Sequence, residues 1–304
     1  MTAPATVKSS VNAPDLGARI PETPRVGTVS APLVSADAAA AVLTGRRLIV
    51  LTGAGLSTDS GIPDYRGPDS PPRSPMTYDE FVSGSRAQQR YWARSHIGWQ
   101  RLGSARPNDG HRALATLEAA GVVRTLITQN VDGLHRAAGS RAVIDLHGRI
   151  DQVVCLDCGA PTTRLDLHRR LDAANPDFAE PADVHTAPDG DVELEDTTGF
   201  ALVGCRVCGG VLKPDVVFFG ENVPKARVER AYAAMSDADA LLVAGSSLTV
   251  MSGLRFVRHA ARLGWPIVLV NRGITRGDPV ATCRLDAGCS ETLTALANIL
   301  APRI

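Results

Sequence analysis

The sequence predicts an α/β fold: a doubly wound, Rossmann-like parallel sheet with a smaller inserted zinc-binding and helical module. Three observations predict it. Short, largely apolar runs, at 48–51, 122–128, 240–244 and 266–270, alternate with amphipathic stretches of helical period. Such strands belong to a parallel sheet covered on both faces. The polar and glycine-rich clusters follow those runs directly, at the strand ends where open α/β sheets bind ligands. Finally, two Cys-x2-Cys pairs lie in a long stretch where the alternation stops.

The chain has 304 residues, of which 44% are hydrophobic and 21% charged, enough for one large domain with a small companion. Its 32 basic side chains balance its 32 acidic ones, so no global field draws it to nucleic acid or an anionic membrane. No apolar run reaches the roughly 20 residues that span a bilayer. No basic start with an apolar h-region marks a secretory signal, and Asp15 and Glu22 interrupt any amphipathic targeting helix. The expectation is a cytoplasmic protein, or one of the mitochondrial matrix if the source is eukaryotic. In a reducing compartment the cysteines are metal ligands or free thiols rather than disulfides. A monomer is expected, with no membrane or nucleic-acid partner.

Residues 1–34 hold five prolines among small residues and no apolar period, and are expected to be a disordered tail. Ser35 caps a helix ending before Gly45, and the strand at 48–51 runs into Thr52-Gly53-Ala54-Gly55. Asn108 or Asp109 caps a helix with apolar positions 113, 114, 117 and 120, ended by Gly121. The strand at 122–128 leads to Gln129-Asn130-Val131-Asp132. A short helix ends at Gly139, and a strand at 142–146 leads to His147-Gly148. Later come a helix at 224–235, a strand at 240–244 ending in Gly245-Ser246-Ser247, a helix around 254–263, and a strand at 266–270 ending in Asn271. The domain at 35–304 thus divides into a core of about 35–72, 106–150 and 211–304 and a module made of insertions at about 73–105 and 151–210.

Glycines at 53 and 55 permit close backbone approach to a phosphate. The loop departs from G-x-G-x-x-G, because Thr58 stands at the third glycine, and no acidic residue follows about 20 positions on at the end of a second strand, where a dehydrogenase holds its ribose. A tight turn that needs small residues would explain the glycines alone. The continuation to Asp64, Tyr65 and Arg66 is not needed for packing.

Six motifs in order resemble those of the sirtuins: GAGLSTDSGIPDYRG from Gly53, TQNVDGLH from Thr128, LHG from Leu146, KPDVVFFGE from Lys213, GSSL from Gly245 and NRGITR from Asn271. The resemblance spans roughly 36–300. Asp64-Tyr65, the KPDVVFFGE wording and the CLDCG…APDGDV stretch resemble the class II branch, which has a mitochondrial member.

Cys155-x2-Cys158 and Cys205-x2-Cys208 are knuckles of the type that clamp one tetrahedral zinc, with 46 residues between them. Four thiolates leave the metal no open position, so the zinc is expected to be structural. Four buried structural thiols are the competing reading. Cys283 and Cys289 have no partner spacing; Cys289 lies at a last strand-to-helix turn, where the resemblance places backbone near the adenine.

The resemblance implies an NAD-dependent protein lysine deacylase. The acyl-lysine oxygen attacks C1′ of the nicotinamide ribose, nicotinamide leaves, and the resulting O-alkylamidate resolves to lysine and O-acyl-ADP-ribose. It makes His147 the general base on the ribose hydroxyls, a proton transfer suited to imidazole. Asn130 holds the ribose and a water, and Asp132 orients Asn130 and the nicotinamide pocket, beside Gln129. Gly53, Ala54, Gly55 and Ser57 cradle the phosphates. Asp64, Tyr65 and Arg66 close over the nicotinamide side, though Arg66 equally suits a local salt bridge. Gly245, Ser246 and Ser247 contact phosphate and ribose, and Asn271, Arg272 and Gly273 the adenosine ribose. Val217, Phe218 and Phe219 line the acyl channel, with Gly220 offering backbone to an acyl-lysine peptide; plain core is the alternative for the phenylalanines. Non-acetyl or longer acyl groups are expected. The rival readings are mono-ADP-ribosyl transfer from the same site and a non-catalytic NAD-binding zinc module.

Overall fold

The structure is a computed structural model that describes residues 31–65, 75–178, 194 and 196–302. Helix α1 (Ala36–Leu43) starts where the Ser35 hydroxyl accepts from the Ala38 N–H, and buries Ala39, Ala40 and Leu43. It feeds β1 (Leu48–Thr52), in which every side chain is buried. Then come α2 (Tyr78–Val82), the long α3 (Ser85–Ser104), α4 (Asp109–Ala119), β2 (Val123–Thr128), α5 (Leu134–Ala137) and β3 (Val143–Asp145). Next are β4 (Gly148–Cys155), β5 (Pro161–Thr163), α6 (Arg164–Ala174) and β6 (Leu212–Val216). The chain ends through α7 (Lys225–Met235), β7 (Ala240–Ala244), α8 (Met251–Arg262), β8 (Ile267–Val270), β9 (Cys283–Leu285) and α9 (Cys289–Leu300).

Among the described residues the main sheet is parallel with order β3-β2-β1-β7-β8-β9. The chain winds outward from β1 to β3, then restarts beside β1 with β7 and winds the other way. That reversal between β1 and β7 is a topological switch point, where loops diverge and leave a crevice. Alternate side chains feed two cores. Val50 and Leu242 pack with residues of α1, α4 and α9 on one face, and Ile49 and Val243 with α7 and α8 on the other. Each such aliphatic side chain contributes on the order of 2 kcal/mol of burial free energy.

The expected elements are present, with boundary shifts. Asn108 is the cap of α4, and with His111 it forms a reciprocal capping box. Helix α8 begins at Met251, a turn earlier than its apolar stripe indicates, because its first turn is polar and faces the cleft. The end of the expected tail is ordered. Arg284 donates its backbone N–H to Pro32, and its carbonyl accepts from Val34, so residues 31–34 lie along β9. Residues 1–30 and most of the acidic stretch at 181–198 lie outside the described residues.

The small module has a sheet that periodicity did not reveal. β4 pairs antiparallel with both β5 and β6. It starts immediately after His147, so the module's sheet reaches from Gly148 to Val216 across the expected boundaries at 150 and 211. Its core joins Phe81, Tyr91, Trp92, Leu167, Phe200 and Phe218. The helical excursion at 73–105 is α2 and α3, and Trp92 on α3 donates its indole N–H to the Leu212 carbonyl. Arg164, fully buried, stacks its guanidinium over Trp92 and Trp99, at 5.0 and 5.3 Å from the ring centres.

Candidate active site

A cleft of about 560 Å³ opens at the switch point, between the loops after β1, β2, β7 and β8. Its floor is backbone. Gly55 donates its N–H to the Gly245 carbonyl at 2.9 Å. A Cβ on Gly53 would stand 2.7 Å from the Gly245 oxygen, and one on Gly245, at φ +66°, would stand 2.2 Å from the Leu56 nitrogen. The glycines therefore let two loops touch as well as leaving room for a phosphate. Ala54–Leu56 and Thr58–Ser60 form two successive 3-10 turns, an arrangement of N–H groups suited to an anion.

Beside this floor stand the polar residues of the β2 and β3 ends. The Ser57 hydroxyl donates to Asp132 Oδ2 at 2.7 Å and accepts from Asn130 Nδ2 at 3.0 Å. Asn130 also donates to the Gly53 carbonyl, and Asp132 Oδ1 accepts from the Leu134 N–H. Asp132 thus orients Asn130 through Ser57 rather than directly. Ser57, expected in the phosphate cradle, is buried with its hydroxyl committed to this triangle. Burial raises the Asp132 pKa above its ordinary value, opposed by the donors from Leu134 and Ser57.

His147 lies in the same cleft, on the turn between β3 and β4. Its Nδ1 is 3.0 Å from the Gln129 carbonyl and its Nε2 2.8 Å from Ser252 Oγ. A carbonyl can only accept, so Nδ1 carries the proton and Nε2 presents its lone pair. Burial lowers the pKa to about 4, with Arg227 adding in the same direction and the Gln129 bond opposing it. At neutral pH the ring is a neutral base. Arg227 is itself held by both carboxylate oxygens of Asp215 at 2.6 and 2.7 Å. Beneath the site, Thr52 links Thr128 and His135 in a buried hydroxyl–imidazole chain.

The apolar side of the cleft comes from the segment after β6. Phe219 meets Tyr65 edge-on with ring centres 5.6 Å apart. Phe218 also lines the cleft but packs edge-on against Phe81 and at 5.1 Å from Tyr91, so it serves the module's core as well. Backbone groups of this segment are partly occupied. Val217 donates to the His147 carbonyl, Tyr78 donates to Phe219, and Glu221 donates to Phe218.

Of the residues expected to bind cofactor or substrate, Gly53, Ala54, Gly55, Ser57, Asp64, Tyr65, Gln129, Asn130, Asp132, Val217, Phe218, Phe219, Gly220, Gly245, Ser246, Ser247, Asn271, Arg272 and Gly273 line one cleft with His147. Arg66 lies outside the described residues. Cys289 is the exception. Its thiol is buried in the core against the Val270 carbonyl, with burial pushing its pKa up to about 12, and only its backbone starts the turn of α9. Ser246 donates its hydroxyl to Gln129 Oε1 at 2.7 Å, which ties the β7 loop to the β2 loop. Sequence reasoning missed Ser252, Arg227 and the lining residues Met76, Tyr91 and Arg255. The Ser-Gly pair at the start of α8 was the available signal for Ser252.

The four cysteines converge. Cys155 and Cys208 Sγ are 3.5 Å apart, Cys158 and Cys205 Sγ 3.8 Å, and all four sulfurs lie within 4.8 Å. A tetrahedral zinc with bonds of about 2.3 Å requires sulfur separations of roughly 3.8 Å, whereas a disulfide requires about 2.05 Å. The spacing fits the metal. Both knuckles close alike: Gly159 donates to the Cys155 carbonyl and Gly209 to that of Cys205, each glycine at positive φ. A second group, His96, His168 and Asp172, is a poorer cation site. Buried Arg164 acts on both rings, and each ring's Nδ1 is buried without a partner instead of being braced for a metal.

Fold and cleft together define a doubly wound nucleotide-binding protein with an imidazole base at the switch point and a four-thiolate metal module. A model of the Sir2 family matches residues 53–252. The NAD-dependent protein deacetylase 1 of Mycobacterium avium is 58% identical over 86% of this chain and 94% of its own length. That of Streptomyces coelicolor is 53% identical over 84% and 87%. Among solved structures, a Sir2–p53 peptide–NAD+ complex is 31% identical, with a TM-score of 0.69 over 86% of this chain and 96% of that one. A Sir2 homologue–NAD complex is 28% identical, with a TM-score of 0.67 over 89% and 95%. The chain belongs to the Sir2 family.

Proposed function

We propose that the protein is an NAD-dependent protein lysine deacylase that favours non-acetyl or longer acyl groups. The observation that carries the catalytic reading is His147, a neutral imidazole whose Nε2 lone pair meets the Ser252 hydroxyl in a cleft that also holds Asn130 and Asp132. Relatives named as NAD-dependent deacetylases match nearly their whole length, and a related Sir2 structure holds a peptide with NAD+. Bound NAD supplies an electrophilic ribose carbon and a good leaving group.

The chain's own residues do the rest. The N–H groups of Gly53, Gly55 and Gly245 bond to Ala244, Gly245 and Val270, so these glycines would leave space for the phosphates rather than bond them, and the end of β8 at Asn271 would receive the adenosine end. Asn130, fixed by Gly53 and Ser57, positions the ribose and a water. His147 takes the proton from a ribose hydroxyl at Nε2, while its Nδ1–H stays on the Gln129 carbonyl. A single structural zinc in the four cysteines braces the module that presents the residues 217–219. The class II placement rests on Asp64-Tyr65, the KPDVVFFGE wording and the CLDCG…APDGDV stretch. The longer-acyl preference rests on Asp64-Tyr65 and the long zinc-module insertion, supported by the Tyr65–Phe219 contact that gives the acyl side of the cleft an aromatic wall.

The test is incubation of the protein and of His147→Ala with NAD and a panel of acyl-lysine peptides, read by mass spectrometry. O-acyl-ADP-ribose that forms only with the unmutated protein supports deacylation, and the relative rates name the acyl group. Acetyl removed much faster than every longer chain overturns the longer-acyl preference. ADP-ribose attached to protein without peptide deacylation moves the assignment to transferase.

A further inference from the structure

Helix α8 delivers one hydroxyl to the catalytic base. The loop before it is held tightly. Leu248 is the one described non-glycine residue with positive φ (56°), and its N–H donates to Ser246 Oγ. The Ser247 and Thr249 hydroxyls pair at 3.0 Å, and Arg276 donates to the Thr249 carbonyl. This places Ser252 in the first turn of α8, with Oγ 2.8 Å from His147 Nε2. Gly253, next to it, admits the Gln129 side chain, since a Cβ there would stand 2.8 Å from Gln129 Nε2. Gln129 in turn holds Nδ1 of the same ring through its carbonyl. The imidazole is therefore clamped at both nitrogens, by an acceptor on one side and a hydroxyl on the other.

We propose that Ser252 is a positioning residue for His147, whose hydroxyl caps Nε2 in the resting enzyme and yields it to a substrate hydroxyl. The proposal rests on the reading of His147 as the general base. With Nδ1–H committed to a carbonyl, Nε2 is an acceptor, so the serine O–H donates to it. A donor on the lone pair favours the neutral imidazole and fixes the ring plane. When a ribose hydroxyl arrives, Ser252 rotates about its Cα–Cβ bond and releases the lone pair. Once Nε2 is protonated, the same oxygen accepts the new N–H, because a hydroxyl serves both roles. The charged groups around the ring are Arg227 on α7, neutralised by Asp215 on β6, and Asp64, Asp132, Glu221 and Arg255 across the cleft. None of them makes a hydrogen bond to Nε2, so Ser252 is its described partner.

The experiment compares the full chain with Ser252→Ala and Ser252→Thr. Histidine side-chain NMR follows the His147 ring through a pH titration, and kcat and KM are measured with NAD and an acetyl-lysine peptide. In the alanine variant the pH at which the ring protonates is expected to rise by about half a unit to one unit. Its kcat is expected to fall about tenfold, with both KM values within about twofold and an unchanged melting temperature. Threonine keeps the hydroxyl and is expected to stay within about threefold. An alanine variant with unchanged ring titration and unchanged kcat overturns the proposal, and so does a threonine variant as impaired as alanine. If the unmutated protein does not deacylate, the functional reading fails, while the NMR titration still decides whether Ser252 holds the ring.

Discussion

Lys213 Nζ lies 3.0 Å from Glu221 Oε2 beneath the segment that lines the apolar side of the cleft. The ammonium is almost fully buried, sits 4.6 Å from the centre of the Phe218 ring and donates to the Val216 and Pro214 carbonyls. The same carboxylate oxygen accepts the Phe218 N–H. One ion pair thus ties Lys213 of β6 to Phe218 and Glu221 of the segment that follows it. Glu221→Gln leaves a buried ammonium without its counter-charge and is expected to cost about 3 kcal/mol. The Lys213→Met, Glu221→Gln pair is expected to cost less than the single change. Urea denaturation of the four members of that cycle checks it, and KM for the peptide should rise with the single variant.

Ser57→Ala tests the triangle of Ser57, Asn130 and Asp132. It removes the donor to a buried carboxylate and one acceptor of the Asn130 amide, a loss expected to cost about 1–3 kcal/mol. With Asn130 less constrained, KM for NAD should rise while the peptide KM holds. Steady-state kinetics with each substrate varied separately gives the answer. A rise confined to the peptide KM would place Ser57 elsewhere in the reaction.

The zinc module yields a prediction that needs no activity. Elemental analysis should find one zinc per chain, lost in Cys158→Ser. Chelation should lower the melting temperature by at least 10 °C, since the metal supplies much of the folding energy of such a small unit. Zinc readdition should restore it.

Several buried histidines make stability depend on acid. Burial lowers the pKa of His96 and His111 to about 4, and that of His135 well below 6.5. A group whose folded pKa is depressed binds its proton more readily in the unfolded chain. These rings therefore support the fold fully above pH 6.5 and lose that support as pH falls toward 4. Each contributes a slope of about 1.4 kcal/mol per pH unit inside that window. Denaturant midpoints measured between pH 8 and 5 should be flat above 7 and fall below 6.5. Asn108→Ala, which removes the acceptor of the His111 backbone N–H at the start of α4, should lower the whole curve.

What the sequence disclosed follows from where its signals are local. β1, β7 and β8 are apolar on both faces and β2 nearly so, so these four strands stand out by composition. The zinc site is legible because both knuckles repeat one spacing. β4 and β6 are different. β4 alternates buried and half-buried positions only loosely (Gly148, Ile150, Val153, Cys155 inward), and β6 contains Lys213 and Pro214, whose burial depends on Glu221 and on edge placement. Ser252 was hidden for a related reason. Its contact with His147 spans 105 residues of sequence, and a serine in a helix's first turn is ordinarily a solvated or capping group.

Two glycines separate steric from conformational cost. Gly148, adjoining His147, has φ +81°, and a Cβ there would fall 1.8 Å from the Asp215 carbonyl oxygen on β6. Gly264, after α8, has φ +70° with open space around its missing Cβ. Gly264→Ala bears only the left-handed backbone strain, about 1 kcal/mol. Gly148→Ala bears that strain and must also push β4 and β6 apart where Gly148 pairs with Val216. It is expected to cost more than about 3 kcal/mol, the range reserved for core clashes and strain at special backbone positions. Because Val217 donates to the His147 carbonyl, any separation of these strands also displaces the His147 ring. The expected result is an alanine variant at 148 that melts at least 10 °C lower and loses activity well below its melting point, while the variant at 264 keeps full activity. Equal melting temperatures for the two would show that the strands accommodate the methyl group, and that the glycine after His147 is there for its backbone angle alone.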